Sequence, residues 1–148
     1  MDPLNLPPYA HKVKELNGKP YIYDSIRKKF VRLSPEEWVR QHVIELLHVQ
    51  YHHPKSLMAI ESGLQYNRLS KRSDILVLDS DGAPFLLVEC KAPHIAITPA
   101  TFAQISRYNF TLLPRYLAVT NGLTHHCFSI EEGQLCFHND FPAYQPKE

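Results

Sequence analysis

The sequence predicts an α/β fold, with a mixed central sheet flanked by helices. Three observations carry that expectation. Residues 73–79 (S-D-I-L-V-L-D) and 85–91 (F-L-L-V-E-C-K) are two apolar runs of the kind seen in strands covered on both faces. The pair Asp81-Gly82 between them is a hairpin turn signal. Helix starts stand on either side, at Ser34-Pro35 and at Thr98-Pro99. The length of 148 residues suits one domain, and 44% hydrophobic residues suffice for a core.

Taken in order, residues 1–20 form an extended N-terminal segment, marked by Pro3, Pro7, Pro8 and Pro20. Residues 21–140 form a single domain, and residues 141–148, with Pro142 and Pro146, form a C-terminal tail. Residues 21–24 and 29–33 are rich in Tyr, Phe, Val and Ile and predict a small leading hairpin. Ser34 then N-caps a helix, Pro35 takes its first position and Glu37 completes an S-x-x-E capping box. Trp38, Val39, His42, Val43, Leu46 and Leu47 recur at helical spacing as far as about residue 50. Residues 56–65 read as a weak strand, followed by the two apolar strands. Thr98 caps a second helix carrying Phe102, Ile105, Asn109 and Leu112. Residues 115–120 (R-Y-L-A-V-T) are another buried strand, ended by Asn121-Gly122, and residues 126–130 and 134–138 make a closing hairpin. Three successive strands form an antiparallel meander. The strand after the second helix then joins in parallel through a crossover.

Composition narrows the function. With 16 basic and 15 acidic residues the formal charge is +1, which excludes a strongly basic nucleic-acid coat and an acidic disordered tail. No apolar run reaches the length of a membrane span. Three cysteines, Cys90, Cys127 and Cys136, lack the spacing of a disulfide scaffold, so a reducing, cytoplasmic setting is expected.

The chemistry concentrates in the two apolar strands. Burying an unpaired charge is costly, yet Asp74, Glu89 and Lys91 all stand in these runs. Counting back from a turn centred on Asp81-Gly82 places Asp74 opposite Glu89, with Cβ atoms about 4.5–5.5 Å apart. Lys91 follows Glu89 by two residues and shares its face. Facing carboxylates repel unless something neutralises them. A hard divalent ion such as Mg²⁺ or Mn²⁺ would do so, with the main-chain carbonyl of Cys90 as a further ligand. A lysine beside that ion would orient water or stabilise charge on a phosphate, the parts needed for metal-assisted hydrolysis of a phosphodiester. The plainer account is a salt-bridged cluster in which Lys91 neutralises Glu89 and Arg72 covers Asp74. Three charges on one face of one hairpin favour the metal account.

Asp74 followed by Glu89-Cys90-Lys91 resembles the D…E-x-K signature of the PD-(D/E)XK nuclease superfamily. The element order is similar to its restriction-endonuclease-like core. A closer likeness is to the nuclease domain at the N-terminus of type I restriction enzyme R subunits and to small standalone bacterial proteins carrying it. It rests on residues 35–41 (P-E-E-W-V-R-Q), 72–77 (R-S-D-I-L-V), 87–93 (L-V-E-C-K-A-P) and 119–122 (V-T-N-G). The resemblance implies a Mg²⁺-dependent deoxyribonuclease, with Asp74 and Glu89 as metal ligands and Lys91 as the catalytic lysine. Many members add a first-helix glutamate. Glu36 or Glu37 fills that place here, and the helical wheel favours Glu36. Gln104 and Tyr108 match the Q-x-x-x-Y of RecB-like members, and residues four apart share a helical face. Ordinary packing accounts for Tyr108 equally well. Ser73 replaces the proline of the signature. DNA is the implied partner, with a translocase or other restriction subunit in trans and, as in other small nucleases of this fold, a homodimer. No G-x-x-x-x-G-K-[ST] loop occurs, so ATP-driven restriction is not expected of these residues. The alternative is a non-catalytic module that keeps the fold and binds nucleic acid or protein.

Two other patterns compete. Nine histidines, including His48, His52-His53 and His125-His126, together with Cys127, Cys136 and His138, invite a zinc site. They lack paired ligand spacing, so surface histidines and buried cysteines are expected. Cys90 points away from Glu89 and reads as a core thiol. Basic residues gather at Arg68, Lys71 and Arg72 and at Arg27, Lys28, Lys29 and Arg32, where they would serve as phosphate contacts or as solvated turns.

Overall fold

The computed structural model describes residues 1–61, 74–106 and 114–146. Two sheets are present among them. The smaller is a meander of β1 (Val13–Leu16), β2 (Lys19–Asp24) and β3 (Lys29–Arg32), all antiparallel. The predicted leading hairpin is β2–β3, and β1 adds a strand ahead of it. Turns at Asn17-Gly18 and Lys28 take positive φ (53°, 76° and 56°), the left-handed backbone of tight hairpins.

Helix α1 (Pro35–Val49) starts as its sequence dictates. The Ser34 hydroxyl accepts the Glu37 amide at 3.0 Å, with Pro35 in the first turn. Glu37 departs from a reciprocal capping box. Its carboxylate accepts from Arg27 (3.1 Å), Arg40 (3.0 Å) and Gln41 (2.9 Å) instead.

The larger sheet has six strands in the order β4 (Met58–Glu61), β5 (Asp74–Leu78), β6 (Pro84–Cys90), β7 (Tyr116–Thr120), β8 (His125–Glu131) and β9 (Gln134–His138). Among the described strands of this sheet only the β6–β7 pair is parallel. Between them lies helix α2 (Pro99–Ser106), as a parallel neighbour requires a crossover. This is the predicted mixed sheet of a restriction-endonuclease-like core.

Strand alternation sorts the core into two layers. Ile75, Val77, Leu86, Val88, Cys90 and Ala118 pack with Val39, Val43, Ile44 and Leu47 of α1. On the opposite face Leu76, Leu87, Leu117, Val119 and Phe128 pack with Phe102 of α2, whose ring meets Phe128 edge-on at 5.7 Å. The ends of the chain are tied to this body. Asn5 donates its amide to Gly122 (2.7 Å), and the Trp38 indole donates to the Asp2 carbonyl (2.9 Å). Phe141 is buried, and the Tyr144 amide reaches the Tyr51 carbonyl (2.9 Å). No described helix is long and apolar enough to cross a membrane.

Candidate functional site

Asp74 and Glu89 are direct Cα partners on β5 and β6, the rung expected from the sequence. The turn that sets it lies elsewhere than counted. Gly82 donates its amide to the Asp79 carbonyl (3.0 Å), and Asp79 Oδ1 accepts from Asp81 and Ala83 (2.9 Å each). The tip is therefore Ser80-Asp81, with Gly82 left-handed at φ 82°. A register shift between Val77 and Leu78 compensates. Such a bulge absorbs one residue and restores the predicted pairing from Val77 onward.

Glu89 is 2% exposed. Its Oε1 lies 3.1 Å from Lys91 Nζ, and the lysine side chain keeps 19% of its surface in solvent. Val88 and Cys90, on either side of Glu89, are fully buried beneath α1, so Glu89 faces the α2 layer with Leu87. Cys90 is thus the core thiol expected. The Lys91 amide donates to the Thr120 carbonyl at 2.8 Å, extending the parallel ladder past the last residue of β6. Beyond it, the Asn121 amide donates to the Ile95 carbonyl (2.9 Å), and Asn121 Oδ1 accepts from Leu123 and Thr124 (2.9 Å each). One side chain thereby ties the loop after Lys91 to the end of β7.

Glu89 Oε2 is buried and has no hydrogen-bond partner among the described residues. A carboxylate oxygen only accepts, and leaving one buried without a donor costs about 1–3 kcal/mol or more. An ordinary structural salt bridge would satisfy both oxygens. Here the single ammonium contact serves one. A hard divalent cation fits such an oxygen, and a second carboxylate position on the same rung adds to the donor set.

The rung continues further than the sequence indicated. Glu61 on β4 is the Cα partner of Asp74, so three acidic positions run side by side across three strands. Glu61 was missed because its run reads only weakly as a strand, with no tight turn from which to count.

The first-helix acids lie elsewhere. α1 packs against the Cys90 face, opposite to Glu89. Among the described residues neither Glu36 nor Glu37 forms a salt bridge or hydrogen bond with Glu89 or Lys91. Both Glu37 oxygens are engaged by Arg27, Arg40 and Gln41. Glu36 is half-buried and lines an opening with Arg27, Arg32 and Arg40. Gln104 lies on α2, while Tyr108, Arg68, Lys71 and Arg72 fall outside the described residues. Arg27 is consumed by Asp24 (2.6 Å) and Glu37, and those contacts lower the Asp24 carboxyl despite its burial.

The histidine and cysteine patterns resolve into packing. His53 is fully buried and donates to the Pro142 carbonyl (2.8 Å), while its own carbonyl lies 2.9 Å from His48 Nδ1. Burial pushes the Cys127 thiol up to about 12. Among the described residues no three His, Cys, Asp or Glu side chains gather as a metal-holding group. The Asp74 and Glu61 side chains are not among those described.

Comparison with known proteins gives one match. Residues 35–142 fit the family model described as type I restriction enzyme R protein N terminus (HSDR_N). No curated protein and no solved structure matches. The matched stretch starts at the first residue of α1, contains Asp74, Glu89 and Lys91, and covers well over half of the chain. The chain therefore belongs to the type I restriction enzyme R protein N-terminus family.

Proposed function

We propose that this chain hydrolyses DNA phosphodiester bonds with the help of a divalent cation, Mg²⁺ or Mn²⁺, in a restriction role. The observation that supports it is the buried Oε2 of Glu89, without a donor among the described residues, beside Lys91 and on a rung with Asp74. Asp74, Glu89 and the Cys90 carbonyl would hold the ion, which supplies Lewis-acid polarisation of a phosphoryl oxygen and a bound water of lowered pKa. Lys91 keeps its ammonium between Glu89 and solvent, where it orients water and stabilises charge on the phosphate. Glu61 adds a third carboxylate at the β4 end of the rung. Glu36 and Glu37 are left out of this scheme, because α1 packs on the sheet face opposite to Glu89. Gln104 and Tyr108 shape the approach of the strand. A translocating or other restriction subunit acts in trans.

The test is nicking of supercoiled plasmid with Mg²⁺ or Mn²⁺. Lys91→Ala and Glu89→Gln should each lower the rate by about a hundredfold or more, the scale on which positioned charges act. Equal residual cleavage by wild type and Lys91→Ala sinks the reading. Calorimetry with Mn²⁺ should detect one site that Glu89→Gln removes. A folded protein that binds no ion leaves the alternative, a non-catalytic binding module.

A further inference from the structure

One face of the three-stranded sheet gathers cations and rings without an acid at its strand positions. Its rungs pair Lys14 with Tyr21 and Tyr21 with Arg32, Tyr23 with Phe30, and Leu16 with Lys19. The Tyr23 amide donates to the Lys12 carbonyl (2.9 Å), which continues the pattern. Alternation then puts Lys12, Lys14, Leu16, Lys19, Tyr21, Tyr23, Phe30 and Arg32 on one face. Both acids of these strands, Glu15 and Asp24, stand on the other face with Ile22, Val31 and Lys29, which is the Cα partner of Asp24.

The first face carries four cations, three aromatic rings and no carboxylate among its strand positions. Lys12, Lys14, Lys19 and Arg32 are exposed, and the three rings are half-buried. Lys14 Nζ lies 4.1 Å from the centre of the Phe30 ring, Lys12 Nζ lies 5.8 Å from that of Tyr23, and Tyr23 meets Phe30 edge-on at 5.3 Å. The carboxylates bordering the face are Glu45, beside Lys12 and Tyr23 and paired with Lys55 at 2.6 Å, and Glu36 and Glu37, which line an opening with Arg32.

We infer that this face binds single-stranded DNA, with Lys12, Lys14, Lys19 and Arg32 on the phosphates and Tyr21, Tyr23 and Phe30 beneath the bases. Basic side chains interleaved with aromatic rings on an open sheet are what a single strand requires. Phosphates supply the charge complement, and every base has a face to stack. A rigid duplex keeps its bases stacked on one another and cannot use the rings. The lysines now resting on Phe30 and Tyr23 are held by weak contacts at an exposed site, which a strand can displace. The choice of DNA rests on the restriction reading above. The face itself lies ahead of residue 35, where the family match begins.

Fluorescence anisotropy of a labelled 20-mer oligodeoxythymidine, in EDTA and low salt, tests the inference on the full chain. Lys14→Glu with Lys19→Glu should weaken binding at least tenfold. The milder pair Lys14→Ala and Lys19→Ala should reduce the slope of log K against log salt by about 1.4, the value for two phosphate contacts on a single strand. Tyr21→Ala should cost roughly tenfold, the scale of one stacked base. Because the oligomer is bound in EDTA and plasmid nicking is measured separately with Mg²⁺, a failure of the hydrolytic site and a failure of this face are read separately. The inference is overturned if the wild type does not bind, if a duplex or polyglutamate of equal charge binds as tightly, or if neither lysine pair changes affinity while circular dichroism shows all variants folded.

Discussion

The two sheets of this protein treat charge in opposite ways. The six-stranded sheet places Glu89 inside a strand whose other residues are apolar, with one carboxylate oxygen held by Lys91 and the other without a donor among the described residues. The three-stranded sheet carries Lys12, Lys14, Lys19 and Arg32 exposed on one face, beside half-buried rings. A charge inside a covered sheet is expensive, so its presence points to chemistry. A charge on an open face costs little, so only its pattern is informative. The first kind of site depends on a rigid surround, while the second should tolerate substitution one residue at a time.

That contrast can be broken by measurement. The largest effect is expected from Leu87→Ala, which empties space beside Glu89 in the α2 layer, where Leu87 is 1% exposed. It should cost about 3 kcal/mol in denaturant unfolding, within the usual range for core leucines. A loss below about 1 kcal/mol would mean that this face is not packed as described. Next comes Gly122→Ala. Gly122 holds φ 85°, and an added Cβ would lie 2.8 Å from Leu4 Cδ2 and 3.0 Å from Val39 Cγ2. Strain and displacement of Leu4 together should cost about 1–3 kcal/mol. A neutral result would show that the N-terminal segment contributes nothing to stability.

A third effect is read as a slope against pH. Burial lowers the pKa of His53 below its ordinary 6.5. Protonation would place a charged N–H at Nδ1, which is buried without a partner. A group with a lowered folded pKa stabilises fully above the unfolded value and loses that contribution as pH falls through the folded one. The melting temperature should therefore decline below about pH 6.5, and His53→Gln should flatten the decline. Burial lowers His42 in the same direction, so part of the slope should remain. The smallest effect belongs to the small sheet. Lys14→Ala should change stability by about 0.5 kcal/mol, the value of one exposed contact over a ring. A change several times larger would mean that the outer face supports the fold rather than merely decorating it.

The larger sheet was readable because its signals were redundant. Two apolar runs around a turn, flanked by helix-start signals, predict the antiparallel meander and the one parallel strand. The rung of Asp74 and Glu89 was also readable, though for a partly mistaken reason. Asp79, not Asp81, organises the turn, and the register shift at Val77/Leu78 cancels the difference. Other features left weak traces. β1 (V-K-E-L) is exposed along its whole length, so no apolar alternation marks it. Glu61 pairs with Asp74 across a long connection, and pairing at that range leaves no countable signature in one sequence. The face of Glu36 and Glu37 depends on where α1 docks, which its own periodicity does not encode. Residues 62–73, with the basic cluster, and Tyr108 lie outside the described residues.

The acidic rung crosses strands of unequal depth. Glu61 sits on β4, the edge of the six-stranded sheet, whereas Glu89 sits on β6, with two strands beyond it on one side and three on the other. Edge strands open locally at a free energy well below that of global unfolding. Amide hydrogen exchange should therefore run as a gradient along the rung, fastest in β4 and slowest in β6. A strand that detaches and re-pairs while its neighbours hold would let one acidic position come and go from a rung whose centre stays in place.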